Sequence, residues 1–173
     1  MKYSFLVFSV SIILFAVACE ETSNPSRDAV KMTKAEIASS VGYSWFNYEW
    51  RSYHPNDSLV GVIESSFDPS VHSFYIFMIP GCSCDSIIVS PVELIKTLDN
   101  AGVTESDYFI YSMNSKESNH PFEDLLEINR LPAAYMFRDS LPVYSIIDTL
   151  NYRHSIGDKV PIEVIVSEAL QAN

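Results

Sequence analysis

The residues with the most chemistry in this 173-residue chain lie in one stretch, Ile79-Pro80-Gly81-Cys82-Ser83-Cys84-Asp85. Two thiols one residue apart can exchange disulfides, hold a soft metal or clip the chain. A disulfide needs Cα atoms roughly 4.4–6.8 Å apart. Residues i and i+2 meet that in a turn but not in extended chain, so a Cys82–Cys84 bridge is possible and strained. Strain raises the reduction potential, and such a bridge is readily given up to other thiols. A thiolate at a helix start is stabilised by the helix dipole and by unpaired N–H groups, so one of the two is expected to be reactive. A structural clip is the weaker reading, because closing so small a loop removes little chain entropy. Metal binding competes, since closely spaced thiolates suit Cu(I). Among His54, His72, His120 and His154, the best third ligand is His120. It follows the second apolar strand and should emerge at the sheet edge where α/β sites collect. In the polar stretch "NSKESNH" it also reads simply as a solvated side chain. His72 precedes the first apolar strand, about 20 Å from the cysteines at strand rise.

The chain carries 22 acidic and 11 basic residues, a formal charge of −11. That argues against nucleic acid as a partner, which needs a basic face. Hydrophobic residues make up 47%, enough for the core of one domain. No Ser/His/Asp set has a recognisable spacing, and no Gly-rich phosphate loop is present. The acids of "PFEDLLE" read as the solvated face of a helix.

The first 18 residues read as a secretory signal: Lys2, an apolar run from Phe5 to Ala18, and the small residues Ala16-Val17-Ala18. The run is short for a membrane span. With Cys19 directly after it, "AVAC" resembles the lipobox of bacterial lipoprotein signals, with Ala16 where Leu is preferred. The resemblance implies cleavage before Cys19, acylation of Cys19 and a polar tether over residues 19–31. With Cys19 lipidated, only Cys82 and Cys84 of the three cysteines remain for chemistry in an oxidising compartment.

The elements that must position the pair follow from periodicity. Thr33 and Glu36 have capping-box spacing, which predicts a short helix at 34–40. The aromatic cluster Trp45, Phe46, Tyr48, Trp50 and Tyr53 reads as packing. "DSLVGVIESSF" predicts a helix ending near Ser65, with Leu59, Val62 and Ile63 on one face. "SFYIFMI" (73–79) is a strand buried on both faces, stopped by Pro80-Gly81. "DSIIVSPVELIKTLDNAG" predicts a helix capped by Asp85 or Ser86, kinked at Pro91 and ended by Gly102. "DYFIYSM" (107–113) predicts a second strand, parallel to the first. "PFEDLLEIN" is expected as a short helix. "LPAAYMF" and "LPVYSIID" (141–148) should form a hairpin around the "RDS" turn, and "VPIEVIVSEALQ" a closing helix. The order β-α-β-α-β-β-α defines an α/β fold, one mixed sheet with helices on both faces.

This order resembles the thioredoxin fold over about residues 68–171. An apolar strand runs straight into the cysteines, Pro91 falls in the first turns of the next helix, and Leu131-Pro132 opens a later strand as the family's cis-proline does. In place of Trp-Cys-x-x-Cys the chain has Gly81-Cys82-Ser83-Cys84, and the family's buried acid in the preceding strand is replaced by Ile76 and apolar neighbours. The resemblance implies four segments: a signal over 1–18, a lipidated tether over 19–31, an aromatic-rich extension over 32–67 and a thioredoxin-like domain over 68–173. It implies a thiol–disulfide oxidoreductase in which Cys82 attacks and Cys84 resolves, although the residues alone permit the reverse. Leu131 and Pro132 would flank an extended substrate segment. The partners would be thiols or disulfides of cell-envelope proteins, the chain being held at the membrane through Cys19 and needing no cofactor. Two alternatives stay open: copper handling by Cys82, Cys84 and His120, as in some thioredoxin-fold proteins, and a non-catalytic binding module.

Overall fold

A computed structural model of the protein describes residues 28–81 and 86–172. Its elements are β1 (Val30–Met32), α1 (Lys34–Ser39), a 3₁₀ turn (Val41–Tyr43), α2 (Phe46–Ser52), α3 (Asp57–Ser66), β2 (His72–Met78), α4 (Ser86–Asn100), β3 (Tyr108–Ser112), β4 (Ala133–Arg138), β5 (Leu141–Ser145), α5 (Ile146–Ser155) and α6 (Ile162–Gln171). The five strands make one mixed sheet in the order β1-β3-β2-β4-β5. β2 runs parallel to β3 and antiparallel to β4, with Ile76 facing both Ile110 and Ala134. The result is an α/β protein with a thioredoxin-like arrangement. Among the described residues no helix is long and apolar enough to cross a membrane; the apolar run before Cys19 lies outside them.

The period-2 alternation of the strands sends side chains to opposite faces. Phe74, Ile76, Met78, Ile110, Ala134 and Met136 enter one core with residues of all six helices. Phe77, Tyr111, Ala133, Tyr135 and Phe137 enter the other. The helical cover of that second face is reduced to irregular chain. The stretch expected as a helix, "PFEDLLEIN", is a run of turns over residues 121–125. It closes the face by inserting Phe122, whose ring lies 4.3 Å from that of Tyr75, together with Leu126 and Ile128. Tertiary packing of one large ring here outweighs helix propensity.

Local signals at the helix starts carry through. Thr33 Oγ1 accepts from the Glu36 N–H, and Glu36 Oε2 accepts from the Thr33 N–H at 2.7 Å, a complete capping box. Asn56 caps α3 through the N–H groups of Ser58 and Leu59. The buried stripe of α3 is Val60 and Ile63, whereas Val62 points to solvent. α4 buries Val92, Leu94, Ile95 and Leu98 as expected, with Pro91 inside the helix and Gly102 at φ 74° beyond its end. The cap candidate Asp85 lies outside the described residues.

Three boundaries differ from expectation. Val30 and Lys31, expected in the tether, pair antiparallel with β3 together with Met32, and the Ala29 N–H bonds the Asn119 carbonyl at 2.7 Å. Strand β5 stops at Ser145, and Ile146, Ile147 and Leu150 are buried by a helix, α5, rather than by strand continuation. In the aromatic cluster Trp45 and Phe46 are buried, but Tyr48 on the outer side of α2 is exposed.

Arg138, at the end of β4, closes the C-terminal end of α6 by donating to the carbonyls of Leu170 and Ala172. It also stands against His72, the first residue of β2. Burial and then the Arg138 charge push the His72 imidazole below its ordinary value.

The β4–β5 hairpin turns on Asp139 and Ser140, both in the left-handed region at φ 50° and 68°, between the paired residues Arg138 and Leu141. Such two-residue turns favour glycine, because a Cβ in this region costs about 1–2 kcal/mol. Ser140→Gly is expected to stabilise the fold by about 0.5–1 kcal/mol once the added freedom of the unfolded chain is subtracted. Urea unfolding monitored by circular dichroism checks this; an unchanged or lowered midpoint contradicts it.

Candidate functional site

Cys82 and Cys84 lie outside the described residues, as does the lipidation candidate Cys19. The strand before the pair and the helix after it are described. β2 leaves the sheet at Met78, whose carbonyl accepts from the Met113 N–H at 2.8 Å. The chain then passes Ile79 and Pro80 to Gly81, and after four further residues α4 begins at Ser86.

Both backbone groups of Gly81 are held by the aromatic extension. Its N–H donates to the Gly42 carbonyl at 2.9 Å, and its carbonyl accepts from the Trp45 indole Nε1–H at 2.9 Å. The approach is close. A Cβ built on Gly42 would stand 2.9 Å from the Pro80 Cβ. Tyr43, between these two contacts, is 1% exposed and donates its hydroxyl to Ser112 Oγ at the end of β3. Burial pushes the Tyr43 phenol up to about 12, against the lowering effect of that bond. Tyr43 and Trp45 meet edge to face at 6.1 Å. Trp45 packs as its aromatic cluster predicts, and it also holds the residue preceding Cys82, which the cluster alone does not predict. The available signal was Gly42, set among bulky residues.

Leu131 and Pro132 lie at the same end of the sheet. Their peptide bond is cis, Pro132 is buried and Leu131 half-buried. Ala133 pairs with Phe77 in the β2–β4 ladder, so the two residues stand one and two register steps beyond it, beside Met78 and the chain leading to Gly81.

His120 is half-buried on the second face. Its ring stands edge-on to Phe77 at 5.4 Å. Nδ1 accepts from the Phe122 N–H at 3.3 Å, and the His120 N–H donates to Glu123 Oε1 at 2.9 Å. Burial holds the imidazole below its ordinary value, with Glu123 opposing. It is therefore neutral at physiological pH, with the proton assigned to Nε2 by the bond at Nδ1. Beside it opens a cavity of about 350 Å³ lined by His120, Glu123, Leu126 and Glu127, with Lys116 and Glu117 also among its walls.

The other histidines are spent elsewhere. His72 is buried at the far end of β2, His154 Nε2 lies 2.7 Å from the Val160 carbonyl, and His54 is exposed. Among the described residues no three His, Cys, Asp or Glu side chains gather to hold a metal.

Fold and frame together describe an α/β protein of thioredoxin-like arrangement whose cysteine stretch joins the central strand to a long helix. The chain matches no protein-family model, no curated protein and no solved structure.

The clamp on Gly81 depends on the missing side chain of Gly42. Gly42→Ala must displace Pro80 or the 3₁₀ turn and is expected to cost roughly 1–3 kcal/mol, the range for overpacking. Gly61→Ala, in the interior of α3 with nothing near the new Cβ, is expected to stabilise by about 0.8–1 kcal/mol. Denaturant midpoints of the two variants check the contrast. Equal effects of one sign would show that the Gly42–Pro80 contact is not tight.

Proposed function

We propose that the protein is a member of the thioredoxin-like superfamily that exchanges disulfides with cell-envelope proteins through Cys82 and Cys84, held at the membrane by lipidated Cys19. One observation carries the reading. β2 leads directly into the cysteine stretch, α4 starts at once after it, and Leu131-Pro132 stands beside the same strand end. A 15-residue helix supplies a dipole and unpaired N–H groups that favour a thiolate near its start.

The reaction balances as two exchanges. The Cys82 thiolate attacks a partner disulfide, forming a mixed disulfide and expelling one partner thiolate. The Cys84 thiolate then attacks Cys82 Sγ and expels the second. Two electrons pass to the partner, the cysteine pair ends oxidised, and no cofactor takes part. The reverse sequence oxidises a partner dithiol. A ring closed over one intervening residue is strained, which favours that oxidising direction. Leu131 and Pro132, at the edge of the site, would line an extended partner segment.

His120 gives copper handling a specific footing. It is neutral, the form that binds metal, and it touches Phe77, five residues before Cys82. Its Nδ1 already accepts the Phe122 N–H, so ligation would use Nε2 after loss of its proton or would break that bond.

Trapping separates the readings. In the host envelope, Cys84→Ser is expected to accumulate mixed disulfides with a small set of proteins, and Cys82→Ser is not. The opposite pattern reverses the roles of the two thiols. No adducts with either variant, together with stoichiometric Cu(I) uptake lost in His120→Ala, would replace exchange by copper handling. Neither adducts nor uptake would leave a non-catalytic binding module.

A further inference from the structure

The core between α4 and α6 contains carboxyl groups that the thiol chemistry does not use. Glu163, in the first turn of α6, is 1% exposed. Its Oε1 accepts from the Asn56 N–H at 2.8 Å, and its Oε2 has no hydrogen-bond partner. Thr97 of α4 is fully buried, and its hydroxyl is also unpartnered. The Tyr53 hydroxyl lies against both. One turn before Thr97, the half-buried Glu93 faces Glu163 from α6, Glu49 from α2 and His154 from α5.

Among the described residues no ammonium or guanidinium pairs with Glu93 or Glu163. The nearby Lys96 donates its Nζ to the carbonyls of Trp50 and Tyr53 at 2.5 and 2.6 Å. His154 Nε2 is turned to the Val160 carbonyl. A buried anion without a cation is costly, and two facing carboxylates more so, unless one of them holds a proton. Glu163 is held by the Asn56 N–H, whereas burial and the facing Glu163 and Glu49 hold the Glu93 carboxyl above its ordinary value. The proton therefore falls to Glu93.

We propose that the half-buried Glu93 and the buried Glu163 form a proton-binding site that fastens the aromatic extension to the sheet domain. Three of the groups around it, Glu49, Tyr53 and Asn56, belong to the extension, while Glu93, Thr97 and Glu163 belong to the helices beneath. With the proton bound, one negative charge is shared across the seam. With it lost, two anions face each other under the segment that also supplies Gly42 and Trp45 to Gly81. The inference does not depend on the thiols.

Its sign is opposite to that of most carboxylates. Burial first, then Glu163 and Glu49, hold the Glu93 carboxyl above its ordinary 4.5, with His154 opposing. The stabilisation is complete below that ordinary value and is lost as pH rises through the raised one. His72, held below its ordinary 6.5, loses its contribution as pH falls, so the two can be told apart by direction.

The test is urea unfolding of the full chain across pH, read by the fluorescence of Trp45 and Trp50, the chain's two tryptophans, both in the extension. Glu93→Gln carries a permanently neutral isostere. Relative to it, the wild-type unfolding constant is expected to grow with pH, by up to about tenfold per unit for one proton. Glu163→Gln, which removes the facing charge, is expected to flatten the wild-type dependence in the same way. A wild-type to Glu93→Gln ratio that is constant with pH overturns the proposal. Should neither variant fold, the infrared spectrum of the wild type decides. A protonated-carboxyl stretch persisting above the ordinary carboxylate range supports the site, and its absence there overturns it.

Discussion

Everything in this molecule depends on burying β2 on both faces. The strand is central, parallel to β3 on one side and antiparallel to β4 on the other, so all its backbone groups can be paired. Phe74, Ile76, Phe77 and Met78 are at most 1% exposed, and each contributes about 1.5–3 kcal/mol by leaving water. That burial demands a cover on each side. Helices supply the first, and the turns carrying Phe122, Leu126 and Ile128 supply the second. A strand so confined has one free end, and the cysteine stretch continues from it.

The extension belongs to the same constraint. Its helices complete the first core, and its 3₁₀ turn and Trp45 bond the backbone where β2 leaves the sheet. The extension is therefore part of the frame around the reactive stretch. Beside that apolar packing, its attachments include polar groups withdrawn from solvent: an indole on a carbonyl, a lysine on two carbonyls, a backbone N–H on a buried carboxylate. Such bonds stabilise by modest amounts when made, but leave costly orphans when broken. The orphan oxygens of Thr97 and Glu163 lie along this seam.

Much of the architecture was legible in the residues because the signals are local. Continuous apolar runs in the strands, the Thr33/Glu36 capping box, the helical stripe of α4 and the turn within Arg138-Asp139-Ser140 each act within a few positions. The misses share one cause. The turns at 121–125, the pairing of Val30–Met32 with β3 and the switch from strand to helix at Ile146 are decided by partners distant in sequence, and no local pattern encodes those contacts. Glu163 was hidden for the same reason. Nothing within "VPIEVIVSEALQ" marks it as buried, and only the packing of α6 and the bond from Asn56 bury it.

The sequence by itself determined the chemical inventory: two adjacent thiols after an apolar strand, a helix to follow them, and a proline-opened strand to come later. Bond-forming capacity resides in side-chain type and in spacing along the chain, so it can be read there. Only the tertiary structure decided which groups share a place. It brought Leu131-Pro132 beside the end of β2, set His120 against Phe77, bound Gly81 between Gly42 and Trp45, and drew the buried Glu163 and the half-buried Glu93 to the seam with the extension. Those neighbours are up to 107 residues apart in the chain, as in the bond from Asn56 to Glu163. They meet because covering both faces of one strand leaves each segment few places to lie.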